Sequence, residues 1–133
     1  MASFALEIVT PERVVYTGQV ESVQAPGSGG SFGVLAGHMP LLTSLQVGAL
    51  RFAEEGGDRV QMAVSGGFAE VGRERVTVLA ETAERADEID TQRAESSRQR
   101  AEERLARRNE EQVDIVRAQA ALSRALNRLK VGG

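Results

Sequence analysis

Cysteine and tryptophan are absent from the 133 residues, and histidine and tyrosine occur once each. Without cysteine there is no disulfide framework and no thiolate metal site, which suits a reducing compartment. The lone histidine, His38, has no second imidazole with which to hold zinc. No apolar run approaches the roughly 20 residues that span a bilayer, and the first residues lack the charged-then-apolar pattern of a secretory signal, so the chain reads as soluble. Surplus positive charge is lacking too. A net charge of -3 offers no attraction to phosphate backbones or anionic headgroups, and nucleic acid is not an expected partner.

The parts for nucleophilic catalysis are equally scarce. No serine stands in a nucleophile-elbow context, and Ser65-Gly66-Gly67 reads as a turn between strands. His38 reads as a loop-packing or interface residue. The run Pro26-Gly27-Ser28-Gly29-Gly30-Ser31-Phe32-Gly33 has the glycine content of a phosphate-cradling loop, but it lacks the lysine and the helix that should follow, so a β turn is expected.

What is present divides the chain in two. Hydrophobic residues make up 41% and charged residues 26%, the composition of an ordinary globular protein. All three prolines and twelve of the fourteen glycines lie at or before Gly72, and so do all five aromatics, Phe4, Tyr16, Phe32, Phe52 and Phe68, which are expected to plug a sheet-based core. In this half apolar residues alternate at period two: Phe4, Leu6, Ile8, then Val60, Met62, Val64, then Val76 and Val78. Glu54 to Asp58 and Gly72 to Arg75 read as hairpin turns. Short strands spaced about ten residues apart predict an antiparallel β-sandwich or flattened barrel over residues 1–82.

Residues 83–133 follow a different period. Ile115, Ala118, Leu122, Ala125, Leu126 and Leu129 recur at helical spacing, and Ala94, Ala101 and Leu105 form a narrower stripe upstream. Asp90 and Asp114 stand where N-caps belong, and Asn109 to Gln112 is the expected turn of an antiparallel two-helix hairpin. Ten arginines from Arg85 to Arg128, with Lys130, face eleven acidic residues over 81–133, which predicts a solvated, ion-paired surface. So few large aliphatics cannot offset the entropy of ordering the hairpin alone, so it should need the β domain, a partner or a ligand.

The segment Phe32-Gly33-Val34-Leu35-Ala36-Gly37-His38-Met39-Pro40-Leu41-Leu42 resembles the G-x-L/Y-x-G-H-x-P-L-L segment of the epsilon subunits of bacterial F-type ATP synthases. The resemblance continues through Ser65 to Val71, Val76 to Ala80, Ala83 to Ala94 and Arg124 to Leu129, and so covers nearly the whole chain. It implies a non-catalytic subunit of the rotating central stalk, bound to gamma and the top of the c-ring through Ser31, Gly37, His38 and Pro40. Where relatives carry an acidic residue in the glycine-rich loop, this chain has Gly30 and Ser31, which puts the ring contact at Ser31 in question. The resemblance also implies a hairpin that folds beside the β domain or extends into the alpha/beta catalytic head and blocks ATP hydrolysis. Membrane association would come only through the complex, at the cytoplasmic face of the bacterial inner membrane.

No cofactor is required, but ATP is a possible regulatory ligand. Family members that bind it on the folded hairpin carry I/L-D-x-x-R-A, matched here by Ile89, Asp90, Arg93 and Ala94. Glu84 precedes that signature, and Arg100, Arg124 and Arg128 fall at the basic positions. Arginines converging from two antiparallel helices suit a polyphosphate, and an aspartate at a helix start can accept from a sugar or base. The competing reading is that Asp90 only caps its helix and the arginines are solvated. A free-standing nucleotide-sensing switch and a β-sandwich adaptor whose helices dimerise are the alternatives to a stalk subunit.

Overall fold

The structure, a computed structural model, describes residues 2–107 and 114–133. The turn expected at Asn109 to Gln112 lies outside the described residues. The chain forms two compact units, Met1–Arg85 and Ala86–Gly133.

The first unit is built from β1 (Phe4–Val9), β2 (Val14–Gly27), β3 (Gly30–Leu35), β4 (Leu41–Glu54), β5 (Arg59–Val71), β6 (Arg75–Ala80) and β7 (Ala83–Arg85). Its pairing order is β1-β6-β5-β4-β2-β3, with β1 also paired to β2, so five strands close on themselves as a flattened barrel. One ladder departs from the antiparallel rule: β1 runs parallel to β6, Ala5 opposite Arg75 and Val9 opposite Leu79. The period-two positions point inward, and Leu6, Ile8, Leu50 and Val78 are wholly buried. β7 belongs to this unit because Ala83, Glu84 and Arg85 pair with Val64, Ala63 and Met62, so the compact unit ends three residues beyond 82.

The expected turns form at Glu54 to Asp58 and at Gly72 to Arg75, where Glu54 N–H donates to Asp58 O at 2.7 Å and Gly72 N–H to Arg75 O at 2.8 Å. The glycine-rich run is the β2–β3 hairpin, with Gly27 opposite Gly30. Ser65-Gly66-Gly67, by contrast, is no connecting turn and lies inside β5. Gly66 and Gly67 take φ of 80° and 117°, a conformation open to glycine and costly for other residues. Opposite this bend the chain leaves β6 after Ala80 and re-enters as β7, so β5 pairs one strand on each side of the kink. Ser65 N–H donates to Thr82 O at 3.1 Å, and the hydroxyls of the two residues are hydrogen-bonded.

The second unit holds a 3-10 turn at Ala86–Glu88 and two helices, α1 (Thr91–Ala106) and α2 (Ile115–Gly132). Asp90 and Asp114 cap them as expected, each accepting at Oδ1 from the backbone N–H three residues on, at 3.0 Å. Ile89 lies against Gly132, where a Cβ would stand 3.0 Å from that of Ile89, so the start of α1 meets the end of α2 and the helices are antiparallel. The seam is alanine: Ala94, Ala101, Ala118 and Ala125 are buried. Of the expected face of α2, Ala118 and Ala125 lie in the seam and Leu122 and Leu129 are half-buried, while Ile115 and Leu126 stay exposed at 38% and 47%. Small side chains let the backbones approach, and they leave little apolar area to bury.

Candidate functional site

Two sets of residues carry the functional expectations, one on each unit. On the β domain, Ala36 to Pro40 link β3 to β4 and carry Gly37, His38 and Pro40. Gly37 has φ 80°, its N–H donates to Arg73 O, and His38 N–H closes a turn onto Leu35 O, both at 3.2 Å. The His38 ring is half-buried, with Nδ1 2.7 Å from Met39 O. Gly37 and Pro40 are exposed. Ser31 is exposed near the other end of β3, where its Oγ accepts from Gln24 Nε2 at 3.2 Å. Four extended residues, roughly 13 Å, separate it from Leu35, so the structure places Ser31 and the His38 loop at opposite ends of one strand.

Around the loop, apolar side chains face solvent. Met39 is 79% exposed, Leu42 71%, Leu35 60%, Phe68 56% and Leu79 52%. Phe68 pairs across the ladder with Leu79, and Leu42 lies diagonal to Phe68 through the Leu42–Glu70 and Ser44–Phe68 pairs. These three therefore share one outer sheet face, at cross-strand distances where side chains touch. Phe68 was expected in the core with the other aromatics. It faces out because Ala69 and Val71, one step out of phase with it, take the inward positions of β5. The same phase rule sets Leu79 against Val78 and Ala80. Leu42, Phe68 and Leu79 are interface candidates that the apolar count alone misses. Their break in phase is the signal.

On the helical unit, Asp90 and Arg93 sit at the first turn of α1, and Arg124 and Arg128 on the last turns of α2. With Ile89 opposite Gly132, equal steps along antiparallel helices bring Arg93 level with Arg128 and Ser97 level with Arg124. Arg100 lies a turn further, its Nη2 donating to Ser97 Oγ at 3.1 Å. Arg93 and Arg100 are exposed, while Arg124 and Arg128 are half-buried. Two residues of the matched signature also have tasks within the fold: Asp90 caps α1 and Ala94 fills the seam. Glu84 lies on β7 of the first unit, opposite Ala63. Arg98 is committed to its own helix, bonded to Glu95 and, at 2.7 Å, to Glu102. Those partners raise its pKa, and Arg98 holds the Glu95 carboxyl below its ordinary value.

Among the described residues no three or more His, Asp or Glu are grouped to hold a metal, and no helix is long and apolar enough to cross a membrane. The chain is thus a closed β domain that turns apolar side chains outward, followed by a hairpin with an alanine seam. Residues 3–86 match the β-sandwich domain of the ATP synthase delta/epsilon chain, and residues 87–133 match its long α-helix domain. The chain belongs to that family, whose members are structural subunits of ATP synthase, and it is a non-catalytic one. The ATP synthase epsilon chain of Nitratidesulfovibrio vulgaris is 53% identical over 98% of this chain and 96% of its own length. Those of Desulforamulus reducens and Moorella thermoacetica are 51% and 50% identical, over 94% and 100% of this chain and 93% and 98% of theirs. A chain in the Euglena gracilis mitochondrial ATP synthase, solved as OSCP/F1/c-ring, superposes with a TM-score of 0.80 at 26% identity, covering 92% of this chain and 77% of that one. A chain in the central stalk and c-ring of the Tetrahymena thermophila enzyme shares the fold, with a TM-score of 0.64 at 14% identity over 99% and 98% of the two chains.

Proposed function

We propose that this chain is the epsilon subunit of the central stalk of a bacterial proton-translocating F-type ATP synthase, that its β domain links gamma to the c-ring, and that its hairpin restrains ATP hydrolysis. The observation that carries the docking role is the outward face of Leu42, Phe68 and Leu79 beside the His38 loop. A large apolar residue held in water across three neighbouring strands gains free energy only when a partner covers it. Family membership, and relatives solved together with F1 and c-ring, support gamma and the ring as the partners and the alpha/beta head as the hairpin's second contact. The complex would hold the subunit at the cytoplasmic face of the inner membrane.

The alanine seam supports a hairpin that can open, since little apolar area holds α1 to α2. ATP bound by Ile89, Asp90, Arg93, Ala94, Arg100, Arg124 and Arg128, with Glu84 preceding them, would favour the folded position and relieve the restraint. Replacing Leu42 and Phe68 together with glutamate tests the docking face. Both side chains are exposed, so the variant should keep its fold and lose copurification with gamma. Retained copurification would refute this face as the stalk contact.

A further inference from the structure

The strongest feature outside that face is a groove of about 620 Å³ on the other half of the sheet, across β3, β2, β4 and β5. Ligand pockets commonly occupy about 300–1,000 Å³. Register puts Gln24, Gly33, Arg51 and Gln61 in one row along its floor and Ser22, Leu35, Ala53 and Arg59 in the next. Among the described residues its lining has two arginines and no carboxylate. Among the described residues neither Arg51 nor Arg59 has an acidic partner, and both are exposed.

The groove is bordered by an open strand edge. Among the described residues β3 pairs with β2 alone. Its sequence, Gly30-Ser31-Phe32-Gly33-Val34-Leu35, has no lysine, glutamate or proline, the residues that ordinarily keep an exposed edge from accepting another strand. Ser31, Gly33 and Leu35 are exposed, and Gly33 has no side chain to obstruct a neighbour reaching toward Arg51.

We infer that this edge and groove form a docking site for an extended acidic segment of a partner protein, which adds to β3 as a further strand. Backbone bonds to β3 supply the alignment, as in other strand additions. Alternate side chains then fall on two faces: carboxylates on the groove face meet Arg51 and Arg59, and apolar groups on the opposite face lie beside Phe32 and Val34. A segment alternating acidic and β-branched residues fits both faces at once. The site uses strand halves other than those carrying Leu42, Phe68 and Leu79, and it goes beyond the stalk reading.

The test titrates the isotope-labelled full chain with a short synthetic peptide of alternating glutamate and valine, read by amide chemical shifts. The amides of Ser31, Gly33 and Leu35 should move. Binding should weaken with salt, and by about tenfold or more in the Arg51→Glu, Arg59→Glu double variant. Gly33→Glu should weaken it similarly without unfolding, since a Cβ there meets only Val23 O at 3.9 Å. A lysine-valine peptide should prefer the double variant to the wild type. The inference is overturned if the acidic peptide moves no β3 amide at millimolar concentration, or binds the double variant as tightly. It is overturned too if inorganic phosphate alone reproduces every shift. The Leu42→Glu, Phe68→Glu variant keeps the two readings apart: it should lose gamma and still bind the peptide.

Discussion

At Gly67 the backbone takes φ 117°, and the Leu79 carbonyl oxygen occupies the place where a side chain would begin. Gly67→Ala therefore combines a disfavoured conformation with a backbone clash, and it should cost about 3 kcal/mol or more. Thermal unfolding of the purified variant checks this, and an unchanged Tm would remove the bend from the account. Tyr16 makes a subtler point. Its hydroxyl donates to Glu54 Oε2 at 3.0 Å, its ring lies 4.5 Å from that of Phe52, and burial first, then Glu54, raises its pKa from 10.0 to about 12. The folded state keeps this proton where the unfolded state releases it. The resulting stability is fully present below pH 10 and is lost as pH rises through about 12. Tyr16→Phe should abolish that alkaline loss, and with one tyrosine and one lysine in the chain little else titrates there.

Among the elements, the helical hairpin has the thinnest support. A ligand bridging both helices stabilises it by about 1.4 kcal/mol for each tenfold excess over its dissociation constant. Millimolar ATP should therefore raise the hairpin's melting temperature and give heat in calorimetry. Arg93→Ala should weaken binding about tenfold, while Arg107→Ala leaves it unchanged. Absence of heat and shift would leave Asp90 a helix cap and remove the ATP site from the account. Both helices, both caps and the strands β1, β5 and β6 were legible because caps, period two and helical spacing are local properties. β7 was not, since three residues carry no period. The bend at Ser65-Gly66-Gly67 read as a turn because adjacent glycines signal positive φ without saying whether the chain reverses or kinks. The four alanines of the seam were legible as members of the two helical stripes, but their dominance was not: leucines lead any apolar stripe, yet the close approach of α1 and α2 selects Ala118 and Ala125 and leaves Leu126 in solvent. Of the candidate sites, the His38 loop was readable from its residues, whereas the exposure of Leu42 and Phe68 depends on which phase of each strand the core takes.

On the scale of the whole molecule, the proposed function divides the labour between the two units. The β domain has its own closed core, and a stalk contact needs only its outer face and the His38 loop. The hairpin adds no strand to that core, and its alanine seam is what the proposed switch rests on. If docking belongs to the first unit and restraint to the second, removing residues 86–133 separates them. The decisive measurement compares the assembled ATP synthase carrying this truncation with the enzyme carrying the full chain, in membrane vesicles, for proton-driven ATP synthesis and for ATP hydrolysis. The account predicts that synthesis is kept and hydrolysis rises. Loss of coupled synthesis, or hydrolysis no faster than that of the full-length enzyme, would contradict it.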